Sequence, residues 1–340
     1  MTISPAILPL FTSAMLALGG ASLSACGGSD SDAPAADSGS LGVDATAGAL
    51  RVASYIKASN TGAEDTFGIK LKLSADGKTL AISAPGEDSS AAGIGGNQAD
   101  NTATDSGAVY VFAHDGNAWV QEAYLKASNA DEGDKFGQSL SLSDDGNTLA
   151  VGAPSEASSA TGVNGVQADN SNLRSGAVYI FERAGDSWSQ EAYLKASNAS
   201  PDSLLGVAVA LSSSGDTLAV GAPTQRTSDS FYESGAAYIF QRNTGTWSEE
   251  AYLKASNDFD EDLFGITIVL NDAGTILAVA AAGEDSNARG ITGDETNNAG
   301  GNSGAVYVFE RADAKWTQET YIKASNSGPG DVLGISALDL

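Results

Sequence analysis

An all-β array of repeated units is the fold class predicted by this 340-residue sequence, and three observations predict it. The phrase Lys-Ala-Ser-Asn occurs five times, starting at Lys57, Lys126, Lys195, Lys254 and Lys323, with spacings of 69, 69, 59 and 69 residues. A fixed long period marks one supersecondary unit copied along the chain, each copy burying a face against the next. Within the copies, short runs such as Gln138-Ser139-Leu140-Ser141-Leu142 alternate small polar and apolar residues, which is the period of a half-buried strand. No stretch sustains an apolar repeat of 3.6 residues, so helices are not expected.

The chain opens on MTISPAILPLFTSAMLALGGASLSACGG, an apolar run too short and too rich in Gly and Pro for a spanning helix, ending in small residues. That pattern predicts an export signal over residues 1–25, although no Lys or Arg precedes the apolar run. Leu23-Ser24-Ala25-Cys26, followed by Gly27, resembles the lipobox of bacterial lipoproteins, which implies lipidation of Cys26 and a tether to a membrane. Residues 26–49 are Gly, Ser, Ala and Asp with almost no large apolar side chain. They are expected to form a lipidated flexible stalk, because too little surface can be buried to offset the entropy of ordering.

The repeats fill residues 50–340, with units at about 61–129, 130–198, 199–257 and 258–326 and a partial one at 327–340. Each unit reads as four strands. The first begins at Phe67-Gly68, Phe136-Gly137, Leu205-Gly206, Phe264-Gly265 or Leu333-Gly334. A tight turn such as Asp145-Gly146 or Ser214-Gly215 joins it to a second strand, Thr148 to Ala153 and its copies. This second run is small and apolar throughout, suited to burial on both faces, and ends at Pro85, Pro154 and Pro223, with Ala282 in the fourth copy. The third strand is Gly-Ala-Val-Tyr-Val-Phe at 107–112, echoed at 176–181, 235–240 and 304–309. The fourth carries Trp119, Trp188, Trp247 or Trp316 and runs into the Lys-Ala-Ser-Asn phrase. Four short antiparallel strands per copy describe one propeller blade, and aromatics at matched strand positions are expected to be the packing between blades.

Phe136-Gly137, Gly152-Ala153-Pro154 and Gly176-Ala177-Val178-Tyr179 carry a resemblance to the FG-GAP repeat of integrin-α-type β-propellers, which covers residues from about 50 to 340. The resemblance implies a β-propeller that serves adhesion or protein and ligand binding at cell surfaces. With four complete four-stranded blades plus terminal strands, a partial or truncated ring is expected. Where the family often places a calcium-binding Asp-x-Asp-x-Asp-Gly, this chain has Ser74-Ala75-Asp76-Gly77 or Ser143-Asp144-Asp145-Gly146, too few carboxylates for a Ca²⁺ ion that takes six to eight oxygens.

Acids outnumber bases 43 to 17, for a formal charge of −26, so a nucleic-acid partner is excluded for want of a basic footprint. The long connection between second and third strands is the expected functional surface, since loops of this length carry function or are disordered. It spans residues 86–101, 155–174 and 283–302, and shrinks by ten residues in the third copy. Asp65, Glu87, Asp88, Asp134, Glu284 and Asp285 are the candidate cation ligands, with Ca²⁺ the ion that would fit oxygen donors. With one histidine, His114, and one cysteine, Cys26, no histidine cluster or Cys-His pair is repeated, so the chain is expected not to be an enzyme.

The resulting expectation is a surface-anchored, non-enzymatic propeller for adhesion or for protein or glycan binding through its inter-strand loops. It is placed in the bacterial cell envelope as an outer-membrane lipoprotein. Two alternatives stand beside it: an exported carbohydrate-active hydrolase using loop carboxylates, and a structural envelope lipoprotein without a ligand.

Overall fold

The computed structural model describes residues 54–226, 233–336, 338 and 339. The expected signal peptide, Cys26 and the stalk lie outside the described residues. The repeats form one compact unit, Val52–Leu340.

Among the described residues sixteen strands make four four-stranded sheets, each from four consecutive strands in antiparallel order. The first blade is β1 (Leu71–Leu73), β2 (Thr79–Ala84), β3 (Ala108–His114) and β4 (Trp119–Leu125). The second is β5 (Ser139–Leu142), β6 (Thr148–Ala153), β7 (Ala177–Ala184) and β8 (Ser187–Leu194). The third is β9 (Ala208–Leu211), β10 (Thr217–Ala222), β11 (Ala236–Asn243) and β12 (Thr246–Leu253). The fourth is β13 (Phe264–Leu270), β14 (Ile276–Ala281), β15 (Ala305–Ala312) and β16 (Lys315–Ile322). The sheets are propeller-like blades. Among the described residues no sheet joins strands from the two ends of the array, so a closed ring is not seen.

The core lies between blades. Val109, Val111 and Leu125 of the first blade pack against Phe136, Leu149, Tyr179 and Trp188 of the second, and the same pairing of faces recurs from the second to the third and from the third to the fourth. Phe136 meets Tyr179 edge-on at 5.4 Å between ring centroids, and Phe264 meets Tyr307 at the same distance, the geometry that aromatic quadrupoles favour.

The Phe-Gly and Gly-Ala-Val-Tyr glycines are explained by how closely successive blades approach. Gly176 has φ +76°, and a Cβ there would lie 2.2 Å from the Leu205 carbonyl oxygen of the next blade. Gly206, at φ +91°, would bring a Cβ within 2.7 Å of the Ala177 oxygen. Both the left-handed backbone and the contact exclude side chains. Hairpin tips are also knitted from blade to blade: Ala75 N donates to Asp144 O at 2.9 Å, Asp144 N to Ser213 O at 3.1 Å and Ser213 N to Asp272 O at 3.0 Å.

One regular feature was not legible in the repeat pattern. In every blade the third and fourth strands slip register by one residue, so that Glu122, Glu191, Glu250 or Glu319 is the extra, unpaired residue of a bulge. Bulges re-aim side chains. Three of these carboxylates meet an arginine of the following blade: Arg183 with Glu122 at 2.7 Å, Arg242 with Glu191 at 3.1 Å and Arg311 with Glu250 at 2.6 Å. His114 occupies the position of these arginines in the first blade. It is half-buried at the end of β3, with its ring edge-on to Trp119.

Candidate functional site on the loop face of the second blade

The Lys-Ala-Ser-Asn phrase leaves the last strand of one blade and enters the next, and its polar side chains divide between the two. Lys195 ends the second blade and donates to Glu156 Oε2 at 2.8 Å and to Ser175 Oγ at 2.5 Å, all within that blade. Asn129, from the preceding phrase, donates to the other oxygen, Glu156 Oε1, at 2.9 Å and accepts from Tyr179 Oη at 2.6 Å. Ser128 bonds Gln167 in the long loop at 2.5 Å. The first and fourth blades repeat the arrangement with Lys126, Glu87 and Asn60, and with Lys323, Glu284 and Asn257.

These lysines and glutamates are buried, with side-chain exposures of 1% or less in all three pairs. Burial pulls the Lys126 and Lys195 ammonium groups below the usual lysine range, opposed by the glutamate each one faces. A charge so deeply buried persists only where a partner compensates it. The third blade departs: Gln225 stands where the others have Glu, and Lys254 is only half-buried, bonded to Ser234 Oγ, Gly235 O and Asp258.

The candidate cation ligands are brought together in pairs but already have partners. Glu87 and Glu284 each hold a lysine. Asp65, Asp134 and Asp262 cap the chain before the first strand, accepting from Gly62 N at 2.6 Å, Asp131 N at 3.0 Å and Phe259 N at 3.2 Å. Asp88 and Asp285 tie the two ends of the long loop, accepting from Asp105 N at 2.8 Å and Asn302 N at 2.5 Å. Among the described residues no three or more acids, histidines or cysteines converge as a metal cluster. The long loops are therefore largely bracketed. Each also folds back onto the fourth strand, Ile94 pairing with Leu125, Val163 with Leu194 and Ile291 with Ile322.

The second blade carries an open cleft of about 340 Å³ on the loop face, where Asp131, Glu132, Asp134, Asn170, Leu173 and Arg174 meet. Asp134 is only 4% exposed, and burial pushes its carboxyl up to about 7, aided by the nearby Glu156 and Asp131 and opposed by the Asp131 N–H and by Lys195. Asp262, its counterpart in the fourth blade, is pushed up to about 8 by burial and by Glu284, Asp285 and Asp258. Asn170 Nδ2 donates to Asp131 Oδ2 at 3.0 Å, and Arg174 is paired with Asp202 at 2.6 Å. A desolvated acid in a cleft is the usual mark of a functional position. Of the six, only Asp134 belongs to the sequence-derived candidates. Asn170, Leu173 and Arg174 were missed, though Arg174 carries a signal: its counterparts in the aligned loops are Asp105 and Asn302.

Residues 119–181 and 188–240 match the model of the FG-GAP repeat. Two FG-GAP repeats are present. The matched stretches run from the outer strand of one blade to the third strand of the next. No curated protein matches the chain. Among solved structures, a candidate 6-phosphogluconolactonase from Bacteroides uniformis is 14% identical with a TM-score of 0.44, covering 80% of this chain and 61% of that one. The periplasmic gluconolactonase of Pseudomonas aeruginosa is 13% identical with a TM-score of 0.41, covering 76% of this chain and 54% of that one. The chain thus spans about three-fifths or less of either structure. The expectation that the chain is not an enzyme is corrected by these neighbours, both described as lactonases. Their TM-scores carry no argument about which chemistry belongs to this chain.

Proposed function

We propose that the chain is an envelope-anchored binding protein that presents its inter-strand loops to a glycan or protein, with the second-blade cleft as the ligand seat. The anchor of this reading is lipidated Cys26, and the location is the outer membrane. The single observation that carries it is the convergence, in one open cleft of about 340 Å³, of a buried acid, an amide and a guanidinium. A few polar groups set in a concave surface are what orient a small ligand. The FG-GAP repeats support the reading, since the family resemblance implies binding at cell surfaces. Screening the full chain against glycan and envelope-protein arrays, with Arg174→Gln and Asp134→Asn as comparisons, tests it. Binding weakened by both changes is expected, and binding indifferent to both would remove the cleft from the account.

A second reading of the same cleft is hydrolysis of a carbohydrate. Asp134 keeps its proton up to about 7, in the way a general acid must, while Asp131 lies on the same wall. Release of reducing ends from a bound glycan, abolished by Asp134→Asn, would establish it. Binding without release at any pH between 5 and 8 would exclude it.

A further inference from the structure

We propose that the buried lysine, glutamate and asparagine of a blade form a self-joining site, in which Lys195 Nζ makes an isopeptide bond to Asn129 Cγ with loss of ammonia. The same bond is assigned to Lys126 with Asn60 and to Lys323 with Asn257.

Glu156 touches both reactants: its Oε2 accepts from Lys195 Nζ at 2.8 Å and its Oε1 from Asn129 Nδ2 at 2.9 Å. One carboxylate thus holds an amine nucleophile and an amide electrophile and can carry protons between them, the juxtaposition that makes an otherwise slow bimolecular exchange internal. Tyr179 Oη donates to Asn129 Oδ1 at 2.6 Å, on the oxygen where negative charge collects when the amide carbon is attacked. The side chains of Lys195 and Glu156 are 0% and 1% exposed, which keeps competing water from the amide. Burial also favours the neutral amine that the attack needs. The same contacts recur around Glu87, from Lys126, Asn60 and Tyr110, and around Glu284, from Lys323, Asn257 and Tyr307.

The step balances without an outside reagent. The Lys195 ammonium gives a proton to Glu156, and the amine adds to Asn129 Cγ with the oxyanion on Oδ1 facing Tyr179. Glu156 passes its proton to Nδ2 and takes one from Nζ as the Cγ–Nδ2 bond breaks. Ammonia leaves, an amide joins the two side chains, Glu156 is left protonated and no charge stays buried. The bond fastens the phrase that enters a blade to the strand that leaves it, so that pulling on the chain does not open that blade.

The third blade is an internal control. Gln225 replaces the glutamate, and Lys254 bonds Ser234, Gly235 and Asp258 instead. Asn198 still accepts from Tyr238 Oη at 2.6 Å, but among the described residues no carboxylate bridges it to Lys254, so no bond is expected there.

Tandem mass spectrometry of a tryptic digest of the full, folded chain tests the proposal. Branched peptides joining Lys126 to Asn60, Lys195 to Asn129 and Lys323 to Asn257 are expected, each lighter by one ammonia than its two linear parts, with Lys254 unbranched. In Glu156→Gln the Lys195 branch is expected to vanish while the other two persist, which also reports that the variant folded. Tyr179→Phe, which keeps the ring in the core, is expected to slow formation of the same branch by tenfold or more. Unbranched peptides at all three lysines of the wild-type chain overturn the proposal, whatever the stability of the variants. So does a Lys195 branch that survives in Glu156→Gln, or a branch at Lys254.

Discussion

Lys195 Nζ lies 2.8 Å from Glu156 Oε2, with both side chains withdrawn from solvent, and Asn129 from the preceding blade holds the other oxygen of the same carboxylate. One glutamate therefore ties the end of its own blade to the phrase that enters it. The recurrence of the pair as Lys126 with Glu87 and Lys323 with Glu284 makes it part of the repeat unit.

Breaking this pair from one side leaves a buried charge unmet. Glu156→Gln is expected to destabilise the fold by about 3–5 kcal/mol in urea denaturation, whereas Glu156→Gln combined with Lys195→Met recovers most of the loss. The third blade supports the direction, because with Gln225 in place of Glu its lysine has moved outward to Asp258. Equal stability of the single and double variants would show that the charge is not what matters.

Stability should decline as pH rises from about 4 to 8. In the folded chain Asp134 and Asp262 titrate at about 7 and about 8, against an ordinary value of 3.8. Between those limits the native state keeps protons that the unfolded chain has lost, so the free energy of unfolding falls with pH. Each unit of raised pKa corresponds to about 1.4 kcal/mol at most. The stability they contribute is whole below the unfolded value and lost as pH climbs through the folded one. Asp134→Asn, which keeps an acceptor for Asp131 N, is expected to flatten the curve of melting temperature against pH. An unchanged slope in Asp134→Asn with Asp262→Asn would refute it.

The bulge glutamates should couple to arginines one blade away. A double-mutant cycle on Glu122→Gln and Arg183→Gln is expected to give a coupling of about 0.5–2 kcal/mol, since the pair is mostly screened from solvent yet not fully buried. A coupling within error of zero would make the bulge a backbone feature alone.

Gly176→Ala is expected to cost about 3 kcal/mol or more, because its Cβ would strike the Leu205 carbonyl and its φ is left-handed. Gly185→Ala offers a control, since it also has positive φ (+64°) but nothing within 4 Å of its Cβ. If both variants lose the same amount in chemical denaturation, backbone strain and not the approach between blades sets the cost.

The sequence by itself determined the four strands of each blade, their turns and the aromatics between sheets. These follow from alternation within a few residues and from a period that repeats them. Tyr179 and Trp188 were legible as packing because a residue matched in every copy is matched to a neighbour in every copy. The Lys-Ala-Ser-Asn phrase at Lys126 or Lys195 was legible as a repeated element, and the structure routes it from one blade into the next. What only the tertiary structure decided is which acid serves which purpose. Glu156 and Asp134 look alike in the sequence, but one is neutralised by a lysine 39 residues away and the other is left desolvated on a cleft wall. Charge compensation depends on distance in space and on burial, which residues far apart in the chain supply. Leu173 and Arg174, which stand where the first blade has Thr104 and Asp105, line the same cleft, and their place on its wall is visible only once the loop is folded.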